Sequence, residues 1–285
     1  MFIAVDTKLP SAVEAQVASI YSGLFPDGDG GFVRQVFQWA DGFFSGRYDG
    51  YQGIDASYHD FEHTLQGTLC LVRLLRGRHQ AGAVPVVSQR VFELGLLAIL
   101  FHDTGYLKTR DDREGTGAKY TQVHVGRSAD FAKEFLSRQG RAEADVASIQ
   151  NMIRCTGVNV DINRIPFQSA EERVVGLALG TADLLGQMAA EDYIDKLPEL
   201  YEEFAEAAEF SGQKAARAVP FTSAWDLMSK TPGFWDGYVL VKLNTDFERL
   251  YEFLNQPYPD GPNEYLGRIE RNIARLRRKL EAAAK

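Results

Sequence analysis

Apolar residues recur at intervals of three and four positions along almost the whole chain. In the clearest stretch, which begins at Phe61, the residues Leu65, Leu69, Val72 and Leu75 keep this spacing. The repeat matches the 3.6-residue turn of an α-helix and gives each helix one apolar face. We therefore predict an all-α protein with helices over residues 11–24, 31–46, 61–75, 88–102, 121–138, 142–156, 170–190, 191–209 and 238–254.

Two segments have a different character. The polar stretch 104–119 contains several glycines and charged side chains, so we predict a long loop of the kind that is often functional. Pro198 lies inside the acidic segment 191–209 and predicts a kink or a restart of that helix. No internal repeat, low-complexity tract or clear linker divides the chain, so we predict one helical domain over residues 1–285.

The tail, residues 262–285, is predicted to form a C-terminal helix with a narrow apolar stripe. Leu266, Ile269, Ile273, Leu276 and Leu280 follow at spacings of three and four, while the opposite face is basic. Such a stripe is typical of a coiled-coil seam, but it serves equally well to pack a helix on its own domain. A homodimer is therefore one of two open interpretations.

Composition narrows the class of protein. The chain has 285 residues, of which 45% are hydrophobic, and no apolar run approaches the roughly 20 residues that cross a bilayer. The first residues lack a basic region followed by an apolar stretch, so we expect a cytoplasmic protein without a membrane partner. The net charge of −8 argues against binding to a nucleic-acid polymer but allows a small phosphorylated substrate. The two cysteines, Cys70 and Cys155, lie in apolar helical patterns and are predicted to be buried thiols.

Four of the five histidines lie in three short clusters. His59 and His63 are four residues apart, His102 is followed directly by an aspartate, and His124 lies near the start of the helix predicted over residues 121–138. A lone acidic residue, Asp183, follows in an otherwise apolar helical run. Imidazole and carboxylate together suit borderline and hard divalent cations such as Zn, Fe, Mn and Mg.

Two of these positions are unusual because their surroundings are apolar. His102 and Asp103 come after the run Leu96–Phe101, and Asp183 stands between two apolar stretches of the same helix. A polar or ionised group is expensive to bury in such a place unless a partner satisfies it. A shared metal ion explains these anomalies better than separate coincidences do.

These residues resemble, in order and type, the HD-domain superfamily of metal-dependent phosphohydrolases. The resemblance runs from about residue 55 to 190, which it identifies as an HD-type metal-binding core with additional N- and C-terminal helices. It implies that His63 is the first ligand, His102 and Asp103 the paired ligands, and Asp183 the last. It also implies one or two divalent ions, with Zn, Mn, Fe, Mg and Ni all possible.

The segment Tyr58-His-Asp-Phe-Glu-His-Thr-Leu65 is also similar to the Tyr-His-Asn-x-x-His-Ala signature of cyclic-nucleotide phosphodiesterases. In that family the first histidine donates a proton to the leaving oxygen, a role that falls on His59 here. The chain departs from the signature at Asp60 and Thr64. It also has no histidine in the helix before Asp183, so His124 is the candidate for a possible second metal site.

A phosphohydrolase mechanism follows from these assignments. A divalent ion would activate water for attack on phosphorus, and Asp103 would act at the catalytic centre as a bridging carboxylate. His59, one helical turn from His63, would protonate the departing oxygen. Lys108 and Arg127 lie near the motifs in sequence and are predicted to bind the remaining phosphate charge. The expected substrate is a nucleotide or another small phosphorylated metabolite.

Three other functions stay open at this point. The segment 59–63 also fits His-x-x-Glu-His, an inverted zinc-peptidase motif with Glu62 as the general base. A di-iron oxygenase on the same scaffold would need a fuller set of histidines. A sensor that binds a nucleotide without hydrolysing it would keep the fold but lack turnover.

Overall fold

The computed structural model describes residues 2–211 and 221–283, and these form helices joined by loops and turns, with no strand or sheet. This confirms the predicted all-α fold. Among the described residues, no helix combines the length and the hydrophobicity that crossing a bilayer requires. The α-helices are α1 (Pro10–Leu24), α2 (Phe32–Phe44), α3 (Phe61–Gln80), α4 (Gln89–Phe101), α5 (His124–Arg138), α6 (Glu143–Arg154), α7 (Ala170–Met188), α8 (Tyr193–Phe210), α9 (Ala224–Phe234), α10 (Leu240–Asn244) and α11 (Glu264–Ala283).

The centre of the fold is built by α3, α4 and α7, which pack on one another. Nearly every residue of α4 is buried, as its apolar composition predicts. α3 and α7 approach each other closely at Gly67 and Gly186. A Cβ at Gly186 would lie 2.7 Å from the backbone nitrogen of Gly67, so a side chain there would push the two helices apart.

Polar caps fix where these helices begin. Asp60 accepts a hydrogen bond from the backbone N–H of His63 (2.8 Å), and Ser169 accepts one from that of Glu172 (3.1 Å). Such caps satisfy N–H groups that have no partner inside the helix. They define the starts of α3 and α7, which carry His63 and Asp183. The end of α4 at Phe101 places His102 and Asp103 directly beyond the buried helix.

The helix predicted over residues 238–254 is wrong in its second half. A π-helical turn (Trp235–Val239) leads into α10, which ends at Asn244, and a 3₁₀ segment covers Leu250–Leu254. Between them, Glu248 and Arg249 have positive φ angles of 51° and 60°. Left-handed residues reverse the chain and cannot continue a right-handed helix.

The acidic segment after α7 restarts as a separate helix. α7 ends at Met188, and α8 begins at Tyr193 and runs through Pro198 to Phe210. The prediction of a restart at Pro198 is therefore wrong: the break lies between Met188 and Tyr193, and α8 continues through Pro198. The loop 104–119 contains two 3₁₀ turns, Thr104–Tyr106 and the start of Gly117–Tyr120.

The C-terminal helix α11 packs on its own domain. Ile269, Ile273 and Leu276 are buried, and α11 contacts α7, α8 and α9. The apolar stripe is thus used within the chain, which leaves the homodimer without support from this helix.

Candidate metal centre and adjoining cavity

Three helices bring four of the predicted ligands together. Nε2 of His63 lies 3.3 Å from Oδ2 of Asp103 and 3.2 Å from Oδ1 of Asp183. Nε2 of His102 lies 3.2 Å and 3.4 Å from the same two carboxylate oxygens. His63, His102 and Asp103 are buried, and their ligand atoms are close enough to share one ion. Residues more than a hundred positions apart in the chain therefore face one point.

The hydrogen bonds leave metal-binding atoms free for an ion. Nδ1 of His102 lies 2.7 Å from the carbonyl oxygen of Ile99, so one ring proton is used there and Nε2 faces the site, where a metal ion would displace its proton. Neither Nε2 of His102 nor Oδ2 of Asp103 has a hydrogen-bond partner, although both are buried. Buried polar atoms without partners are costly. A divalent cation would satisfy both atoms, so these residues fit a metal ion.

The two carboxyl groups are held in their ionised form. Burial by itself raises the pKa of Asp103, but the charge of the neighbouring His102 outweighs burial and holds this pKa well below its usual range. For Asp183, burial acts in the same direction and is outweighed by His102 and His63, which lower its pKa. Ionised carboxylates are the form that binds a hard cation.

His59 is oriented by a glutamate that the sequence analysis missed. Nδ1 of His59 lies 2.5 Å from Oε2 of Glu203, and Oε1 of Glu203 accepts hydrogen bonds from the backbone N–H groups of Tyr58 (2.7 Å) and His59 (3.2 Å). Burial lowers the pKa of His59, but the charge and hydrogen bond of Glu203 raise it to about 9. His59 is therefore protonated at neutral pH, with Nε2 as the remaining donor.

The relation between His59 and His63 differs from the predicted helical turn. α3 begins at Phe61, so His59 precedes the helix and does not share its face. Asp60, which stands where the phosphodiesterase signature has Asn, caps α3 and also pairs with Lys196 of α8 (2.7 Å). Asp and Asn are both good N-caps. The departure at Asp60 therefore leaves the start of α3 intact.

His124 faces the other side of Asp103. Its Nε2 lies 3.8 Å from Oδ1 of Asp103, while Oδ2 faces His63 and His102. Nδ1 of His124 lies 2.6 Å from the carbonyl oxygen of Thr121, and burial lowers the pKa of the ring, which favours the neutral form. The arrangement suits a bridging Asp103 and a second ion with only two protein ligands.

Tyr106 packs against both His59 and His124, whose own ring centroids lie 5.9 Å apart. Its ring stacks on both imidazoles, with centroid distances of 4.7 Å and 4.8 Å. A Cβ at Gly105 would lie only 2.0 Å from the carbonyl oxygen of His124, so this close contact requires glycine. The loop after α4 thus packs against both histidines.

Lys108 and Arg127 do not line the cavity formed by the described residues. Nζ of Lys108 donates to the carbonyl oxygen of Gly115 (2.6 Å) and pairs with Asp55 (3.0 Å). Arg127 donates to the carbonyl oxygens of Gly105 and Leu107, both at 2.7 Å. The structure therefore does not place them as predicted for phosphate binding. Both cations hold the loop 104–119 in place, and closeness in sequence did not mean closeness to the cavity.

A cavity of about 610 Å³ adjoins the metal centre and includes His59, His63, Asp103, His124 and Asp183 in its lining. Its remaining wall comes from α7, α8, α9 and the segments that flank α5 and α6. This volume is in the range typical of small-molecule sites. The fold and site together define an all-α protein with a candidate metal centre that opens into a cavity.

The comparisons with known proteins identify the family. Residues 34–253, more than three quarters of the chain, match the Npun_R2479-like family, and the chain belongs to it. No curated protein matches the chain. The matched range contains the four candidate ligands, His59, His124 and Glu203.

Proposed function

We propose that this protein is a metal-dependent phosphohydrolase that cleaves a phosphoester of a small substrate. The observation that carries the proposal is the convergence of His63, His102, Asp103 and Asp183 on one buried point beside a cavity. The resemblance of these residues to HD-domain phosphohydrolases and phosphodiesterases supplies the class of reaction.

In this proposal the four residues hold one divalent ion, and Asp103 with His124 holds a second if two are bound. A bound ion would supply Lewis-acid chemistry and neutralise phosphate charge. The oxygen of water bonds to phosphorus as water gives one proton to solvent, the ester P–O bond breaks, and the departing oxygen takes a proton from Nε2 of His59, which solvent then restores. Glu203 keeps His59 protonated and oriented for that transfer.

The zinc-peptidase alternative has less support. His59 lies before α3 and is occupied by Glu203, and the proposed base, Glu62, instead accepts hydrogen bonds from Thr7 (2.9 Å) and Gln66 (3.3 Å). Glu62→Gln should therefore leave turnover within about twofold of wild type, whereas the peptidase mechanism requires Glu62. A second metal site with only two protein ligands likewise gives little support to a di-iron oxygenase.

The proposal is tested by elemental analysis of purified protein together with a panel of phosphoesters. We expect one or two equivalents of a divalent metal, hydrolysis of some phosphomonoester or phosphodiester, and loss of this activity on chelation with recovery on adding metal back. A protein that is isolated without metal and cannot be reconstituted would end the proposal. A cytoplasmic location and a homodimer stay predictions.

A further inference from the structure

Away from the metal centre, the wall of the cavity is largely apolar. The apolar side chains that line it come from consecutive elements on one side and include Leu184, Met188, Leu197, Leu200, Phe204 and Leu227. Within α8, an otherwise acidic helix, Leu197, Leu200 and Phe204 lie on one face, and this face lines the cavity. The cavity is thus continuous from the ionised metal centre to an apolar wall.

Positive charge is scarce along this lining. Among the described residues, Lys230 is the sole lysine or arginine that lines the cavity, and its Nζ pairs with Asp226 at 2.8 Å. Lys108 and Arg127 are tied to backbone carbonyls elsewhere. A substrate with several phosphates or many hydroxyl groups needs charged and polar partners along its length. This wall offers mainly apolar surface.

Two apolar residues of the lining are exposed to solvent. Val158 follows α6 and is 61% exposed, and Phe234 ends α9 and is 40% exposed. The hydroxyl of Tyr238, whose ring stacks on Phe234, donates to the carbonyl oxygen of Val158. These two elements therefore meet at the surface and present exposed apolar side chains at the edge of the cavity lining.

From these observations we infer that the substrate is a phosphoester of an apolar alcohol, whose hydrocarbon or aryl group occupies the cavity between α7, α8 and α9. This inference rests on the proposed function for the phosphoryl end of the substrate. In the reaction, water bonds to phosphorus and gives one proton to solvent, the ester P–O bond breaks, and the apolar alcohol leaves with the proton of His59, which solvent then restores. Burial of its apolar group against the wall supplies the binding energy that scarce cations do not.

The first test measures binding without turnover. Alkylphosphonates cannot be hydrolysed at their P–C bond, so methyl-, butyl-, octyl- and dodecylphosphonate are titrated into the metal-loaded protein by calorimetry. We expect the Kd to fall roughly fourfold for each methylene buried, until the chain fills the cavity. A Kd that is independent of chain length would overturn the inference.

The second test changes the wall. Leu200→Gln preserves the size of the side chain, and glutamine is also a good helix former. The substitution should nevertheless remove most of the dependence of the phosphonate Kd on alkyl chain length. The matched control is Leu9→Gln, because Leu9 is 53% exposed and does not line the cavity. Should Leu200→Gln fail to fold, Leu200→Trp fills space instead and should shorten the longest chain that binds well. An unchanged chain-length profile in the variant that folds would contradict the assignment.

Hydrolysis of alkyl phosphate monoesters and methyl alkyl phosphodiesters of increasing alkyl chain length, followed by release of the alkyl alcohol, separates the two proposals. Turnover that ignores chain length would remove the apolar-substrate inference and leave the phosphohydrolase standing. Phosphonate binding that strengthens with chain length, in a metal-loaded protein that hydrolyses no phosphoester, would remove the phosphohydrolase and leave the apolar site standing. If phosphonate affinity and phosphoester turnover both rise with chain length, the result supports the phosphohydrolase and the apolar-substrate inference together.

Discussion

Asp183 is the residue whose replacement tests the metal centre most directly. Its carboxylate is the contribution of α7 to the cluster, at 3.2 Å from Nε2 of His63 and 3.4 Å from that of His102. We expect Asp183→Ala to weaken metal binding by more than about 100-fold, since loss of even an outer partner costs 10–100-fold. Metal content after dialysis and titration with a divalent ion would measure this.

His59→Ala is the matched control for that experiment. His59 is paired with Glu203, so its loss should leave metal content unchanged and slow turnover by about 10²–10⁴-fold. Loss of metal from His59→Ala would make it a ligand rather than the proton donor.

The pairing of His59 with Glu203 predicts how activity depends on pH. A general acid works only while it is protonated, so activity should fall as pH rises through the His59 pKa of about 9. Glu203→Gln removes the charge that raises this pKa and should move the alkaline limb down by about 1–3 pH units. The measurement is kcat/KM against pH, with the exposed neighbour variant Glu202→Gln as a control. An alkaline limb that stays in place would show that another group sets it.

Residue chemistry explains which parts of the site could be predicted. His102, Asp103 and Asp183 were recognisable because polar groups in apolar helices need a partner. Glu203 was not, because it lies in an acidic segment where one more carboxylate carries no signal. A signal was present in the apolar residues Leu197, Leu200 and Phe204, whose spacing identifies the inner face of α8.

At the scale of elements, the contact between α3 and α7 sets the distance between His63 and Asp183. Gly186→Ala places a Cβ 2.7–2.9 Å from backbone atoms of Gln66 and Gly67, so the helices must separate. We expect a loss of about 1–3 kcal/mol in the free energy of unfolding, together with weaker metal binding. Denaturant unfolding and metal titration would measure the two effects.

Gly23→Ala is the matched control, since Gly23 lies in α1 and a Cβ there meets nothing within 4 Å. The change should be neutral or stabilise the protein by up to about 1 kcal/mol. Equal effects of both variants would mean that the close helix contact is not the cause.

The C-terminal helix allows a similar comparison. Leu276 is fully buried, whereas Leu280, one turn later on the same stripe, is only partly buried. Leu276→Ala should cost about 2–5 kcal/mol of the free energy of unfolding, and Leu280→Ala clearly less. Because the stripe packs within the chain, the difference should not depend on protein concentration. A difference that depends on protein concentration would instead indicate that the apolar stripe of α11 forms a homodimer interface.

Helices were predictable from apolar periodicity, and their exceptions have local causes. The prediction for 238–254 failed because Glu248 and Arg249 adopt left-handed backbone angles that residue type does not announce. His59 was predicted to share a helical face with His63, but it lies before α3. The reason is that Asp60 is the N-cap, and a capping residue lies outside the helix that it starts.

For the whole molecule, metal removal should lower stability. An ion that binds only the folded chain stabilises it by about 2.7 kcal/mol when its free concentration is 100 times Kd. We therefore expect chelation to lower the melting temperature of the wild type and to leave that of Asp183→Ala unchanged. Thermal unfolding with and without chelator measures this. Equal responses of the two proteins would mean that the chelated ion lies elsewhere.

One helix, α8, contributes to both ends of the site. Glu203, which orients His59, lies between Leu200 and Phe204 on the helix that also forms the apolar wall. We expect a ligand too large for the cavity to displace α8 and so to weaken the hydrogen bond between Glu203 and His59. We therefore expect substitutions that enlarge the cavity to lower kcat as well.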